Sequence, residues 1–158
     1  MSEQPPEPRL LVEVNVDWAL ESSDRLVDAR QVEILLGNAL ERERMTGSWL
    51  FAIRFVDDRE MAQLHETWLG DPSPTDILTF AYEPDDEAHG GDIVISVETA
   101  GRNAVDAGWR LPDELDFLML HGLLHVLGWD DRSVTGRSAM LERQYELLAS
   151  SDVRDGNE

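Results

Sequence analysis

Apolar residues recur along this 158-residue chain with two different periods, and the switches between them mark out its elements. In the stretch LLVEVNV, Leu10, Val12, Val14 and Val16 occupy every second position, which predicts a strand with one buried face. The period then becomes helical: Val32, Leu35, Leu36, Ala39 and Leu40 form one stripe behind Asp28 and Gln31, which are spaced as a capping pair. SWLFAIRFV alternates Trp49, Phe51, Ile53 and Phe55 and predicts a second strand, after which Asp57 and Glu60 open a helix carrying Met61, Leu64 and Trp68. GDPSPTD interrupts with turn residues, and ILTFAYE and GDIVISV then read as two strands joined by the acidic loop PDDEAHGG. Ser96 is placed to cap a short helix reaching about Gly108. Pro112 suits the first turn of the next helix, where Asp113, Glu114 and Asp116 complement the positive end. Apolar residues surround the axis of that helix over 117–127, so it is expected at the centre of the fold. A last amphipathic helix is expected to bury Leu141, Gln144, Tyr145 and Leu148.

This order of four strands and five helices predicts an α+β or mixed α/β layer fold with one small sheet. Residues 1–9 and 151–158 are charged and small, so both ends are expected to be disordered tails around a single domain over 10–150.

Composition narrows the chemistry. Cysteine is absent, which excludes disulfides and thiolate ligands and leaves His, Asp, Glu or backbone oxygen to hold any metal. Acidic residues outnumber basic ones 33 to 13, all of the latter arginine, for a formal charge of −20. Such a field repels polyanions, so net charge alone makes nucleic acid a poor first expectation. No apolar run approaches the ~20 residues of a membrane span, and the acidic, proline-rich start is unlike a targeting signal, so a soluble cytoplasmic protein is expected.

The sharpest signal is HGLLHVLGWDD, residues 121–131. His121 and His125 are one helical turn apart and share a face, the spacing that chelates one ion. Gly128 can take the left-handed conformation that ends a helix and turns the chain back, bringing Asp130 or Asp131 toward the imidazoles. H-x3-H-x5-D with this glycine follows the metzincin layout, with Asp131 in the place of the last histidine. A carboxylate there is an acceptable zinc ligand and hardens the site. The competing reading is two structural histidines in an apolar helix, although two imidazoles buried without a partner are costly. A peptidase of the HExxH type is disfavoured, because Gly122 stands where its glutamate would be.

The same motif resembles HGxLHLxGYDH of the YbeY endoribonucleases, or rRNA maturation factors. PTDILTF (74–80) looks like that family's PTDVLSF strand, GDIVIS (91–96) like its next strand, and FAIRFVDDREMAQLH like the segment leading into them. The similarity spans about 10–148. It implies a compact α+β fold around a four-stranded sheet, one zinc ion per chain, and cleavage of single-stranded ribosomal RNA in small-subunit 3′-end maturation and ribosome quality control. Partners would be ribosomal RNA and the ribosome or a ribosomal protein, in the cytoplasm, without a membrane. Carried over by position, His121, His125 and Asp131 are the metal ligands, catalytic through a metal-activated water, and Asp130 is a second-shell or turn residue.

Two positions depart from the family pattern: Leu69 stands where an arginine is usual, and His65 where an asparagine is. Arg54 and Arg59 are the candidate RNA contacts in its place. Asp92 is an active-site carboxylate or a strand-end hydrogen bonder, the second being favoured, while Thr75 and Asp76 are expected to organise a turn. His65 and His89 are not expected to be ligands. Two rival functions stand beside the nuclease: a non-catalytic ribosome assembly factor with a structural metal, and a metal-dependent hydrolase of another substrate.

Overall fold

Strands β1 (Leu10–Trp18) and β2 (Gly47–Val56) lie side by side and parallel, with Val12 opposite Trp49 and Val14 opposite Phe51. Parallel neighbours need a crossover, which helix α1 (Ala29–Arg42) supplies. Its start is a reciprocal capping box: the Gln31 backbone N–H donates to the Asp28 side chain at 2.9 Å, and the Asp28 N–H donates to the Gln31 side chain at 2.9 Å. The computed structural model describes residues 9–20, 27–83 and 88–155, without the side chains of 152–155.

After α2 (Asp58–Leu69), strands β3 (Ile77–Ala81) and β4 (His89–Ser96) pair antiparallel. β4 inserts between β2 and β3 and runs parallel to β2, giving a mixed sheet of order β1-β2-β4-β3. Helices α3 (Val97–Ala107), α4 (Leu111–Val126) and α5 (Val134–Asp155) complete an α+β fold of four strands and five helices, as expected. No helix among the described residues is long and apolar enough to cross a membrane.

Side-chain alternation divides the core between the two sheet faces. Trp49, Phe51, Ile53 and Phe55 of β2, with Ile93 and Ile95 of β4, pack toward α1 and α4. Val94 points the other way and joins Val56, Met61 and Leu78 in a smaller cluster beneath α2. Helix α4 touches α1, α3, α5, β3 and β4, which explains why its sequence is apolar nearly all round. It also lies very close to the sheet. A Cβ added at Gly122 would sit 2.8, 3.1 and 3.2 Å from three carbons of the fully buried Ile93 side chain.

Three expectations change. On α5 the buried stripe is Met140, Gln144, Leu147, Leu148 and Ser151, while Leu141 and Tyr145 are 43% and 48% exposed. Gln144 is buried as expected, its Nε2 donating to the Phe117 carbonyl of α4 at 2.8 Å, but the helix is rotated so that Met140, Leu147 and Ser151 accompany it instead of Leu141 and Tyr145. Helix α5 also runs past residue 150 to Asp155, so the first part of the expected C-terminal tail is ordered, and Ser151 is buried because it continues the inward stripe. At the other end Arg9, also assigned to a tail, accepts the Gly47 N–H through its carbonyl at 2.8 Å. Residues 1–8, 156–158 and the loop centre 84–87 lie outside the described residues. On α2, Met61 is buried but Trp68 is 64% exposed, its ring resting on Phe80 of β3 without being covered by another of the described elements.

Gly122→Ala gains up to ~1 kcal/mol of helix propensity and loses roughly 1–3 kcal/mol to overpacking against Ile93. A net destabilisation of about 1 kcal/mol is expected, and a larger one for Gly122→Val, read as a lower urea midpoint at unchanged slope.

Candidate metal centre and its groove

Helix α4 stops because Gly128 adopts φ +96°, a region open to glycine. The Gly128 N–H donates to the His125 carbonyl at 3.0 Å and the Trp129 N–H to the Leu124 carbonyl at 3.0 Å, the paired closure of a Schellman motif. The chain thereby folds back across the last turn of its own helix. Beyond it, the Asp130 carboxylate accepts the Arg132 backbone N–H at 2.8 Å, and Arg137 Nε donates to the Asp131 carbonyl at 3.2 Å. These bonds hold Asp131 against the histidines.

His121 Nε2 and His125 Nε2 are 3.0 Å apart, and Asp131 Oδ2 lies 3.2 Å from His125 Nε2 and 3.8 Å from His121 Nε2. One donor atom from each residue falls within 4.8 Å of the others. The tautomer of His121 follows from its neighbour. Gln144 has committed its amide to the Phe117 carbonyl, so its Oε1 faces His121 Nδ1 at 3.2 Å and that nitrogen carries the proton. Nε2 is left with a free lone pair. Burial pushes the His121 imidazole below its ordinary pKa, with the Gln144 hydrogen bond acting in the opposite direction, so the neutral form is favoured.

Two imidazole nitrogens and a carboxylate oxygen at these separations suit a divalent cation held at about 2.0–2.2 Å from each, with a further position open to the groove. Two Nε2 atoms at 3.0 Å face each other awkwardly unless a proton or a cation lies between them. All three side chains are partly exposed, so solvent and substrate reach the centre. Gly122 faces Ile93 instead of the groove, so the missing HExxH glutamate has no room at this position.

The triad opens into a cavity of about 570 Å³ lined along its length by Thr75 to Ala81 together with Leu69. A second hollow of about 340 Å³ continues from it past Glu114, Arg137 and Gln144, sharing Asp76, Ile77, His121 and Asp131. β3 is an edge strand, and the groove follows it. The Ser96 N–H donates to the Asp76 carbonyl and the Tyr82 N–H to the Gly90 carbonyl. Antiparallel alternation therefore points the backbone N–H and C=O groups of Ile77, Thr79 and Ala81 toward the outer edge. Among the described residues no strand pairs with them.

At the far end of this groove Glu114 is 6% exposed, and burial, then the nearby Asp76 charge, raise its pKa from 4.5 to about 6 against an opposing hydrogen bond from Asn103. Asn103 also donates to Asp76 at 3.2 Å. Asp76 is thus a groove carboxylate, in addition to the turn role expected of it.

The other candidates are scattered. Arg54 lies on the opposite sheet face, tied to Glu60 at 2.7 Å and Asp17 at 3.3 Å. Arg59 is in the first turn of α2, about 15 Å along the helix axis from Leu69. Neither lines the groove. Asp92 accepts the Tyr82 hydroxyl at 2.8 Å and faces the Arg54 side, His65 contacts the Ser73 carbonyl, and His89 lies beside Trp49. Asp130 forms its turn and has no contact with the triad. Three groove residues escaped the sequence reading: Gln144, assigned to an apolar stripe, Glu114, assigned to helix-end electrostatics, and Arg137. A glutamine in an otherwise apolar stripe was the available signal for the first; nothing local marked the other two.

The family model Endoribonuclease YbeY matches residues 18–152. A protein of that name from Synechococcus sp. (strain RCC307) is 38% identical over 151 residues, covering 87% of this chain and 94% of the relative. Another, from Moorella thermoacetica, is 38% identical over 131 residues, covering 76% and 84%. The solution structure of TM1509 from Thermotoga maritima superposes with a TM-score of 0.60 at 21% identity, over 90% of this chain and 93% of that one, and so shares the fold.

Two outcomes follow from the geometry. Gln144→Met removes the acceptor that fixes the His121 tautomer, and a roughly tenfold loss of zinc affinity is expected in a chelator competition titration. Glu114 has a raised folded-state pKa, so its contribution to stability is present below pH 4.5 and lost as pH rises through about 6. Glu114→Gln should therefore match the wild type at pH 4 and exceed it at pH 8 by on the order of 1–2 kcal/mol, measured by denaturant unfolding at both pH values.

Proposed function

The chain belongs to the YbeY endoribonuclease family, and on that premise we propose that it is a zinc-dependent, single-strand-specific endoribonuclease of ribosomal RNA maturation. The observation that carries this reading is the convergence of His121, His125 and Asp131 in the wall of a groove open to solvent. A divalent ion held by these residues supplies Lewis-acid polarisation of a phosphoryl oxygen and a water acidified toward neutral pH.

The chain's own residues divide the remaining work. Gln144 orients His121 and keeps Nε2 available. Arg137, anchored through Nε on the Asp131 carbonyl, lines the groove and is suited to neutralise the scissile phosphate, the task first assigned to Arg54 and Arg59. Glu114, with its pKa near 6 and Asp76 beside it, is the groove carboxyl best matched to exchange a proton near neutral pH. A groove with a sheet edge on one wall and α4 and α5 on the other suits one strand of RNA better than a duplex. We place this activity in the cytoplasm with the ribosome, and assign recruitment of a chain of charge −20 to a basic ribosomal protein.

The decisive experiment combines metal content with cleavage. Protein purified without a metal-affinity tag should carry near-stoichiometric zinc and cut a single-stranded ribosomal RNA fragment. Asp131→Ala and His121→Ala should lose both, with at least a hundredfold fall in kcat/KM, and Arg137→Ala should retain the metal and lose about tenfold. Zinc without cleavage would leave the assembly-factor reading, and cleavage of peptides or esters instead of RNA would favour another hydrolase.

A further inference from the structure

Helix α2 ends in two adjacent exposed apolar residues, Trp68 at 64% and Leu69 at 62%. Large apolar side chains exposed side by side mark binding surfaces more often than singly scattered ones do. Trp68 rests against Phe80, ring centroids 5.6 Å apart and planes at 58°, so the indole is backed on one side and presented on the other. Phe80 belongs to β3, the strand along which the groove runs, and both Phe80 and Leu69 line the cavity that contains His121, His125 and Asp131. Trp68 itself lines the hollow on the α2 side of the sheet, with Arg54 and Asp92, so it and the triad lie on opposite faces of the β3 edge, with Phe80 bordering both hollows.

Charge decides what this surface can recognise. The metal groove holds three acids, Asp76, Glu114 and Asp131, and a single arginine, Arg137, and the hollow that Trp68 lines holds Asp17 and Asp92 with Arg54. Phosphates find little to attract them, and Arg54 is already committed to Asp17 and Glu60. Stacking of a base on an aromatic ring is insensitive to net charge and to sequence, and is worth roughly five- to a hundredfold in affinity per base. We propose that Trp68, backed by Phe80, is a nucleobase-stacking subsite that holds an unpaired base of single-stranded RNA where the strand passes over the β3 edge from the metal groove. The proposal rests on the nuclease reading for the nature of its ligand, and it makes base contact, instead of phosphate neutralisation, the main source of affinity.

Binding and cleavage are measured separately so that the two readings can fail separately. A fluorescent single-stranded oligoribonucleotide is titrated with the full-length protein in chelator, and anisotropy is recorded for the wild type, Trp68→Ala and Trp68→Phe. Binding weakened about tenfold in Trp68→Ala and restored by Trp68→Phe is expected. Replacing one nucleotide by an abasic residue should weaken wild-type binding to a similar degree and cost Trp68→Ala nothing further. The logarithmic salt slope should be no steeper than about −1, since a single strand contributes roughly −0.7 per neutralised phosphate. In the zinc-loaded enzyme the same substitution should raise KM with kcat little changed.

Equal binding by the wild type and Trp68→Ala overturns the subsite and leaves Trp68 as a protein-docking residue. So does a loss in Trp68→Ala that Phe does not restore, or a wild type that fails to bind. Wild-type binding that depends on Trp68, without cleavage in zinc, upholds the subsite and overturns the nuclease.

Discussion

The approach of α4 to β4 at Gly122 is the constraint on which the site depends. With no side chain at that position the helix settles onto Ile93, and the histidines on either side are carried to the level of the β3 edge. A Cβ there would push the helix outward and with it the whole triad, since Asp131 reaches the histidines only by folding back over the end of the same helix. Packing density and site geometry are one property here: the close contact that fills the core also sets the distance between the ligand helix and the substrate groove.

Electrostatics explains the partner chosen for His121. A histidine ligand commonly donates its second N–H to a carboxylate, which raises its basicity. In this chain the acceptor is the neutral Gln144, in a groove that already holds Asp131, Asp76 and Glu114. Another buried carboxylate would add to the burial and the Asp76 charge that already raise the pKa of Glu114. Gln144 fixes the tautomer without adding charge, and its other end ties α5 to α4 through the Phe117 carbonyl. One buried amide therefore sets a ligand's protonation and the rotation of a 22-residue helix together.

An acidic nuclease has to find a polyanion without a basic surface. Several of its arginines are spent on structure: Arg54 on Asp17 and Glu60, Arg102 on Asp58, Arg143 on Glu43 and Glu146. Arg137 is the exception at the groove, in the first turn of α5, where its Nε donates to the Asp131 carbonyl. Such a surface offers little to phosphate bound for its charge alone.

Local physics was enough to read the elements and the spacing of the candidate metal-holding residues from the sequence. Strand alternation, the Asp28 and Gln31 box, the Gly128 turn and the His121, His125, Asp131 spacing are decided within a few residues, and each appears in the structure. What the sequence left undecided was every feature that depends on which elements become neighbours. The partners Gln144 meets in His121 and the Phe117 carbonyl, the separation of Arg54 and Arg59 from the groove and the arrival of Arg137 in it follow from the docking of α5 on α4 and from which sheet face α2 covers. The burial of Glu114 beside Asp76 joins residues from α4 and the turn before β3. Periodicity states that a residue lies on a face, but only tertiary packing states what that face meets, because burial, charge and hydrogen-bond partners come from chain segments far apart in sequence.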